Sequence, residues 1–437
     1  MRADYDVIVI GGGFAGVTAA REVRKAGLQC VILDARDRLG GRTWYSELAG
    51  HPVELGGTWI HWIQPHVWAE VTRYGLAVVE SPGLAAPGHC VWLTGGQRKM
   101  GSPEELLGLL AEGAARFCAE VERVLPRPYE PLFTEGVAEL DRLSVQDRLN
   151  SLGLSDEQRD VLSGLWASAC HAPCAEGGLM TMFRWWALGQ RDFALMMDAV
   201  ARYKLHDGTK SLLAAMLADG QPEVRLSTPV SWVEQEAEQV RITTHSGKSL
   251  SAQAAVIAVP LNVLAAVAFA PPLSAGKQTA ARERQASRGL KVLALVRGAP
   301  NNFFGIAPDS HPLTFLGSER EEPDGVVMVG FGPDAQAFDV NDRQAVQQVI
   351  QQFLPEAEVV AVKGHDWTAD PFAGGTWSIF RPQQLTRYLR ELQRPEGRLF
   401  FAGSDVASGW NGFIDGAIET GLRVGREVVQ LVRSSTP

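Results

Sequence analysis

The chain has 437 residues, 46% apolar and 21% charged, with a formal charge of −9 and no long run of either sign, which fits a folded globular protein and leaves no footprint for nucleic acid or a polybasic membrane patch. No apolar stretch reaches the roughly 18 residues of a membrane span, no leader precedes the first strand pattern, and five cysteines do not suit a disulfide framework. A cytoplasmic location with no membrane or nucleic-acid partner is the expectation, and the length calls for two or three structural units.

The first predicted element is a strand over Val7 to Ile10, apolar and β-branched enough to be buried in a parallel sheet. Gly11, Gly13 and Gly16 follow in G-x-G-x-x-G spacing around Phe14 and Ala15, then an alanine-rich helix to about Gly27 and a second strand, Cys30 to Leu33, closed by Asp34. In that setting the glycines provide a tight turn, close approach to a pyrophosphate and close packing of helix on strand, while the helix start offers free N–H groups to phosphate. Asp34, followed by Ala35 and Arg36, is placed to accept from ribose hydroxyls, which favours NAD or the adenosine half of FAD over NADP. Two further pairs, Gly40-Gly41 and Gly56-Gly57, with Arg42 between them and Thr58 and Trp59 after, suit a long rigid cofactor lying along the sheet.

"ILDARDRLGGRTW" resembles the FAD-binding opening of the flavin amine oxidases, the family of monoamine and polyamine oxidases, with Asp34 where the family usually has Glu. "GGTWIHWIQPHVWAEVTRYGL", "DVNDR" and "DWTADPFAGGTW" are similar to the bacterial branch that acts on nicotine and pseudooxynicotine. The resemblance spans nearly the whole chain. It implies an α/β fold in which a Rossmann-like FAD-binding domain is interleaved with an α+β substrate domain, and FAD as cofactor.

Further along, "HWIQPH" is not a metal pair, because Pro65 keeps the two histidines off one helical face. From Ser102 the pattern is helical: Ser102 with Pro103 and Glu105, and Ser155 with Gln158, read as capping boxes. "CHAPC" at 170–174 lacks the second ligand cluster a metal needs, so no metal is expected. Strands return at 222–260 as "EVRLSTPVSWVEQ", "QVRITTHSG" and "AAVIAVP", with a turn at Ser246-Gly247. The expected division is 1–77, 205–268 and 362–437 for FAD, with 78–204 and 269–361 for substrate.

The end of the chain, "GRLFFAGSDVASGWNGFIDGAIETGLRVGREV", resembles the family's second FAD motif. A strand delivers Gly403, Ser404 and Asp405, and a long helix starting near Gly412 would aim its positive end at the flavin, where charge gathers on reduction. Ile414 and, by resemblance, Val230 and Trp367 complete the cofactor set. The family's two aromatic rings in front of the flavin fall on Trp377 and Phe413, which makes these, with Lys291, the catalytic candidates. Lys291 breaks the apolar strand "SRGLKVLAL", and buried lysines are rare unless used; the resemblance implies a water-bridged contact to flavin N5 that assists reoxidation. Thr376 stands where monoamine oxidases bond flavin to a cysteine, so FAD is expected to be non-covalent.

Trp59, Tyr203 and Phe315 join Trp377 and Phe413 as expected substrate-pocket residues, while Phe413 and Phe315 differ from the nicotine branch. The implied activity is oxidation of a small-molecule amine to an imine, with O2 as acceptor giving hydrogen peroxide, in a monomer or homodimer. The alternatives are a nicotine-type dehydrogenase with another acceptor, an L-amino-acid oxidase or desaturase, and a non-catalytic flavoprotein. An amino-acid substrate requires an arginine for its carboxylate, for which Arg184, Arg288 and Arg381 are candidates.

Overall fold

In the computed structural model, which describes residues 3–434, the front apolar run becomes the strand Tyr5–Ile10 with its last four residues buried. It lies parallel to Cys30–Leu33 on one side and to Ser249–Ile257 on the other, with Ile8 opposite Val31 and Ala255. The helix Phe14–Lys25 links the first two strands and packs on the last helix, Ile414–Ser434. Small residues allow this approach: a Cβ on Gly421 would lie 2.5 Å from the Ala15 carbonyl oxygen.

The sheet built around these strands has eight members. Seven run in the order Ala268–Ala270, Val230–Gln235, Val240–Thr244, Ser249–Ile257, Tyr5–Ile10, Cys30–Leu33 and Glu223–Arg225. The eighth, Leu399–Phe401, pairs with residues 255–257 on the edge whose other half, residues 249–252, pairs with Val240–Thr244. The stretch 223–235, expected as one strand, is two strands at opposite sides of this sheet. Ser227, at φ 49°, and Pro229 break it. The hairpin turn falls at Ser246-Gly247, where Gly247 has φ 80° and donates to Thr244 O at 2.9 Å.

A second sheet of seven strands runs Glu358–Gly364, Leu290–Arg297, Gly325–Gly332, Phe315–Glu322, Phe303–Ile306, His89–Thr94 and Gln97–Gly101. Its register sets Lys291 opposite Phe331 and Phe331 opposite Phe315, one row on one face. Glu358–Gly364 runs past the boundary expected at 361, and residues 1–2 and 435–437, at the ends of the expected FAD-binding segments, lie outside the described residues. Helices between 103 and 201 pack against this sheet and one another. Ser102 and Ser155 cap as expected, accepting from Glu105 N and Gln158 N at 3.2 Å, but the full reciprocal box forms elsewhere, at Ser144 and Asp147. No helix among the described residues is long and apolar enough to cross a membrane.

Candidate active site

A cavity of about 380 Å³ runs from the loop after the first strand to the row on the second sheet, a size within the range of small-molecule and cofactor sites. At the first end the three motif glycines have different reasons to be glycine. Gly11 has φ 107°, and a Cβ there would lie 2.6 Å from Ala258 O. Gly16 does not line the cavity; its Cβ would lie 2.0 Å from Gly11 O, so it lets the helix sit on the strand. Gly13 has φ −76° and ψ 179°, ordinary for any residue, and an added Cβ would meet no protein atom closer than 3.8 Å. Neither backbone nor protein packing demands that glycine. Open space at a helix N-terminus is what an approaching phosphate would fill, so the residues here fit a dinucleotide.

Phe14 and Ala15 line the same end, and so do Asp34, Ala35 and Arg36. Asp34 accepts from Gly12 N at 2.7 Å and Arg36 N at 2.8 Å, and each carboxylate oxygen has capacity for a further donor. Arg36 is paired with Asp370 at 2.8 Å. Arg42 pairs with Asp405 at 2.6 Å and donates to Ser404 Oγ and Trp377 O, tying the loop of Gly40 and Gly41 to both late glycine segments. Gly56, Gly57 and Val230 also line the cavity, with Trp367, whose Nε1 donates to Leu55 O at 2.9 Å. Gly403, Ser404, Gly412 and Ile414 line it as well. The last helix begins at Ile414, two residues later than expected, and its N-terminus faces the cavity.

At the other end Lys291 is 5% exposed. Its Nζ donates to Gly56 O at 2.8 Å and to Thr58 Oγ1 at 2.7 Å, and lies 5.0 Å from the Trp59 ring centroid. Burial pulls it down to about 8, against the opposing influence of Glu319 and Glu54. Trp377 and Phe413 both line the cavity and meet edge to face, centroids 5.4 Å apart at 67°. They form a corner in direct contact, with no slot between the two rings. Trp185, buried behind them, touches each at 5.0 Å.

Two expected pocket residues lie elsewhere. Phe315 does not line the cavity: it stacks behind Phe331 at 5.8 Å, and Phe331 forms the wall. Tyr203 is turned away, because the strand Tyr203–Leu205 pairs with Val78–Glu80 and the ring packs on Trp62 at 4.8 Å and His61 at 5.5 Å. Phe331, His171 and Trp185 are residues that sequence reasoning missed. Aromatic residues in apolar runs read alike whether they face a cavity or a core. His171 did carry a signal, a polar ring directly after the helix Asp156–Cys170.

The only carboxylates on the described cavity wall are Asp34 and Asp405, both at the glycine-loop side. The three candidate arginines are engaged away from the cavity. Arg184 donates to the carbonyls of Ala407, Ser408 and Gly409, Arg288 pairs with Glu176 and Asp334, and Arg381 pairs with Glu176. All five cysteines are buried and free, and none lines the cavity. No group of three or more potential metal ligands occurs among the described residues.

Residues 14–429 match the family model described as flavin containing amine oxidoreductase. The chain is 43% identical over 434 residues to pseudooxynicotine dehydrogenase of a Pseudomonas species, covering 98% of this chain and 87% of that protein. It is 41% identical over 430 residues to nicotine dehydrogenase of Pseudomonas putida, covering 98% and 89%. Among solved structures, wild-type putrescine oxidase bound to putrescine aligns with a TM-score of 0.84 over 98% of this chain and 99% of that one, at 22% identity, a likeness of fold.

Proposed function

Because the chain belongs to the flavin-containing amine oxidoreductases, we propose that it oxidises a small amine with one basic nitrogen on an apolar body, holding FAD without a covalent bond and passing electrons to dioxygen. The observation that carries this reading is the corner of Trp377 and Phe413 on the same cavity as Lys291 and the open glycine Gly13. In this reading the first sheet and its helices hold FAD, and the second sheet with the 103–201 helices holds substrate. FAD held there would supply the oxidation, acceptance of a hydride (two electrons and a proton) from the carbon next to the amine nitrogen, and water would hydrolyse the resulting imine to an aldehyde or ketone and ammonia or a smaller amine.

The protein's own residues prepare that step. Trp59, Phe331, Trp377 and Phe413 exclude water, which disfavours the ammonium form and supplies the neutral amine whose lone pair the oxidation needs. Their ring faces still attract the arriving cation. Lys291 holds a proton at a fixed point on the wall, where its charge stabilises the negative charge that dioxygen acquires on reduction. The N-terminus of the last helix adds partial positive charge at the same cavity. Thr376, whose hydroxyl is hydrogen-bonded to Ser287 Oγ at 2.8 Å, offers no thiol for a covalent link, which supports non-covalent FAD. With no carboxylate lining the amine end, a second ammonium group finds no partner there, and the three candidate arginines, engaged elsewhere, offer no anchor to an amino acid's carboxylate.

A second reading concerns the acceptor only. Two relatives above 40% identity are named dehydrogenases, which favours an acceptor other than oxygen. Anaerobic mixing with a panel of amines, followed by oxygen, tests both. Amines should bleach the visible flavin absorbance, and oxygen should restore it within seconds. A flavoprotein that no amine bleaches ends the proposal; bleaching reversed by a one-electron acceptor but not by oxygen selects the second reading.

A further inference from the structure

The amine end of the cavity is walled by rings, and one polar side chain among them has an unsatisfied ring nitrogen. His171 lines the cavity at 5% exposure, and its buried Nδ1 has no hydrogen-bond partner. The neighbouring polar groups differ: Lys291, Thr58 and Thr376 are all hydrogen-bonded to protein. Nδ1 is itself sealed off, but Nε2 also lacks a protein partner and keeps accessible surface, so a ligand with a matching group can bond it, a contact whose loss in a dry site costs about 1–3 kcal/mol. The imidazole is held firmly between two walls, 5.0 Å from Phe331 and 5.4 Å from Trp377.

The backbone supplies a second, independent observation. His171 ends the helix Asp156–Cys170 in the left-handed region, φ 48°, where glycine is the usual residue. Any side chain there costs about 1 kcal/mol. The position is fixed by one close-packed segment: His171 O accepts from Arg288 N at 2.8 Å, and a Cβ on Gly289 would lie 3.0 Å from His171 Cα. The fold thus keeps an imidazole where glycine would relieve strain and would leave no orphaned nitrogen.

Building on the amine-oxidation reading above, we propose that His171 determines specificity: its uncharged imidazole hydrogen-bonds a neutral polar group, such as a hydroxyl, carbonyl or heteroaromatic nitrogen, carried on the apolar body of the amine. A proton-transfer role is not the alternative. Burial, with the positive charge of Lys291 nearby, holds His171 down to about 3, so it stays uncharged at neutral pH and is a poor base. A neutral imidazole has one N–H and one lone pair to offer. A cationic partner is disfavoured, because Lys291 repels a second cation and no carboxylate lines this end of the cavity.

The test compares kcat/KM for phenethylamine with its ring-hydroxylated and pyridyl counterparts, meta and para, and the same set on a three-carbon chain. The wild type should prefer at least one polar amine over its hydrocarbon isostere by about tenfold or more, the worth of one satisfied buried group. His171→Gly, which also relieves the backbone, should bring that ratio within about threefold of unity. His171→Asn, which tolerates the same backbone and keeps a donor and acceptor, should retain part of the preference. Flavin content and Tm certify each variant, and if the glycine variant does not retain flavin, a loss of at least about threefold in the ratio for the asparagine variant decides. A wild type indifferent to every polar isostere, or a preference that survives both substitutions, overturns the proposal. If no amine reduces the wild-type flavin, the amine-oxidation reading itself has failed and this inference falls with it.

Discussion

Gly13 and Gly16 stand three residues apart and should respond in opposite ways to an added methyl group. Gly13→Ala meets only open space and an ordinary φ, so apoprotein stability should change by at most about 1 kcal/mol, while the FAD retained through purification falls sharply. Gly16→Ala must displace the Gly11 carbonyl, and should cost about 3 kcal/mol in urea unfolding before any cofactor is added. Lys291 makes a pH prediction. Surrounded by Glu54, Glu319, Lys204 and neutral His171, it titrates near 8, so oxygen-driven reoxidation should decline as pH rises past 8 and the cation is lost. Lys291→Met should slow reoxidation far more than amine-driven reduction; equal effects in stopped-flow would remove the lysine from that role. The linkage sign is fixed too: between about 8 and 10.5 the unfolded chain holds this proton more tightly than the folded one, so this group makes stability rise with pH across that window. Lys291 and Gly13 were legible because each departs from its surroundings. Phe331 and Trp185 do not, and only tertiary contact separates them from core filling.

Arg184 shows how one helix secures another segment's geometry. From within Leu179–Leu188 it donates to three consecutive carbonyls, residues 407–409, in the loop that delivers Phe413. Its Nε and Nη1 find no partner and burial lowers it to about 10, so a desolvation cost offsets part of what the three bonds contribute. Arg184→Met should therefore destabilise by only about 1–3 kcal/mol. Amine-driven reduction should suffer more than flavin content, since the Phe413 corner loses its support. A variant with unaltered reduction kinetics would show that the loop holds its shape alone. Among elements, the early parallel strands were readable because strands buried on both faces are continuous apolar runs. The 223–235 stretch misled because apolar residues flank Ser227 and Pro229 on both sides, and periodicity does not reveal that its halves join opposite sides of the sheet, one at an edge and one inside it. Tyr203 misled for a similar reason: its three-residue strand is oriented by pairing with Val78–Glu80, a partner more than 120 residues away in sequence.

At the scale of the whole molecule, the cavity is assembled from the first strand loop, the second sheet, the 376–377 turn and the last helix, and its contents should bind these parts together. Removing FAD should lower Tm. Restoring it at about a thousandfold excess over its Kd should return about 4 kcal/mol, readable by calorimetry across a flavin titration; a Tm indifferent to flavin would contradict the proposed placement. The fold class was legible from glycine spacing and family resemblance, whereas the contact that closes Trp377 on Phe413 depends on segments meeting only in three dimensions. The shared edge of Ser249–Ile257 has a further consequence. Half of that edge is completed by a neighbouring hairpin and half by Leu399–Phe401, so on the ribosome the nucleotide sheet stays open until that late strand, far along the chain from the first, has emerged. Nascent chains halted before that strand should be prey for chaperones and proteases, however complete their opening glycine turn.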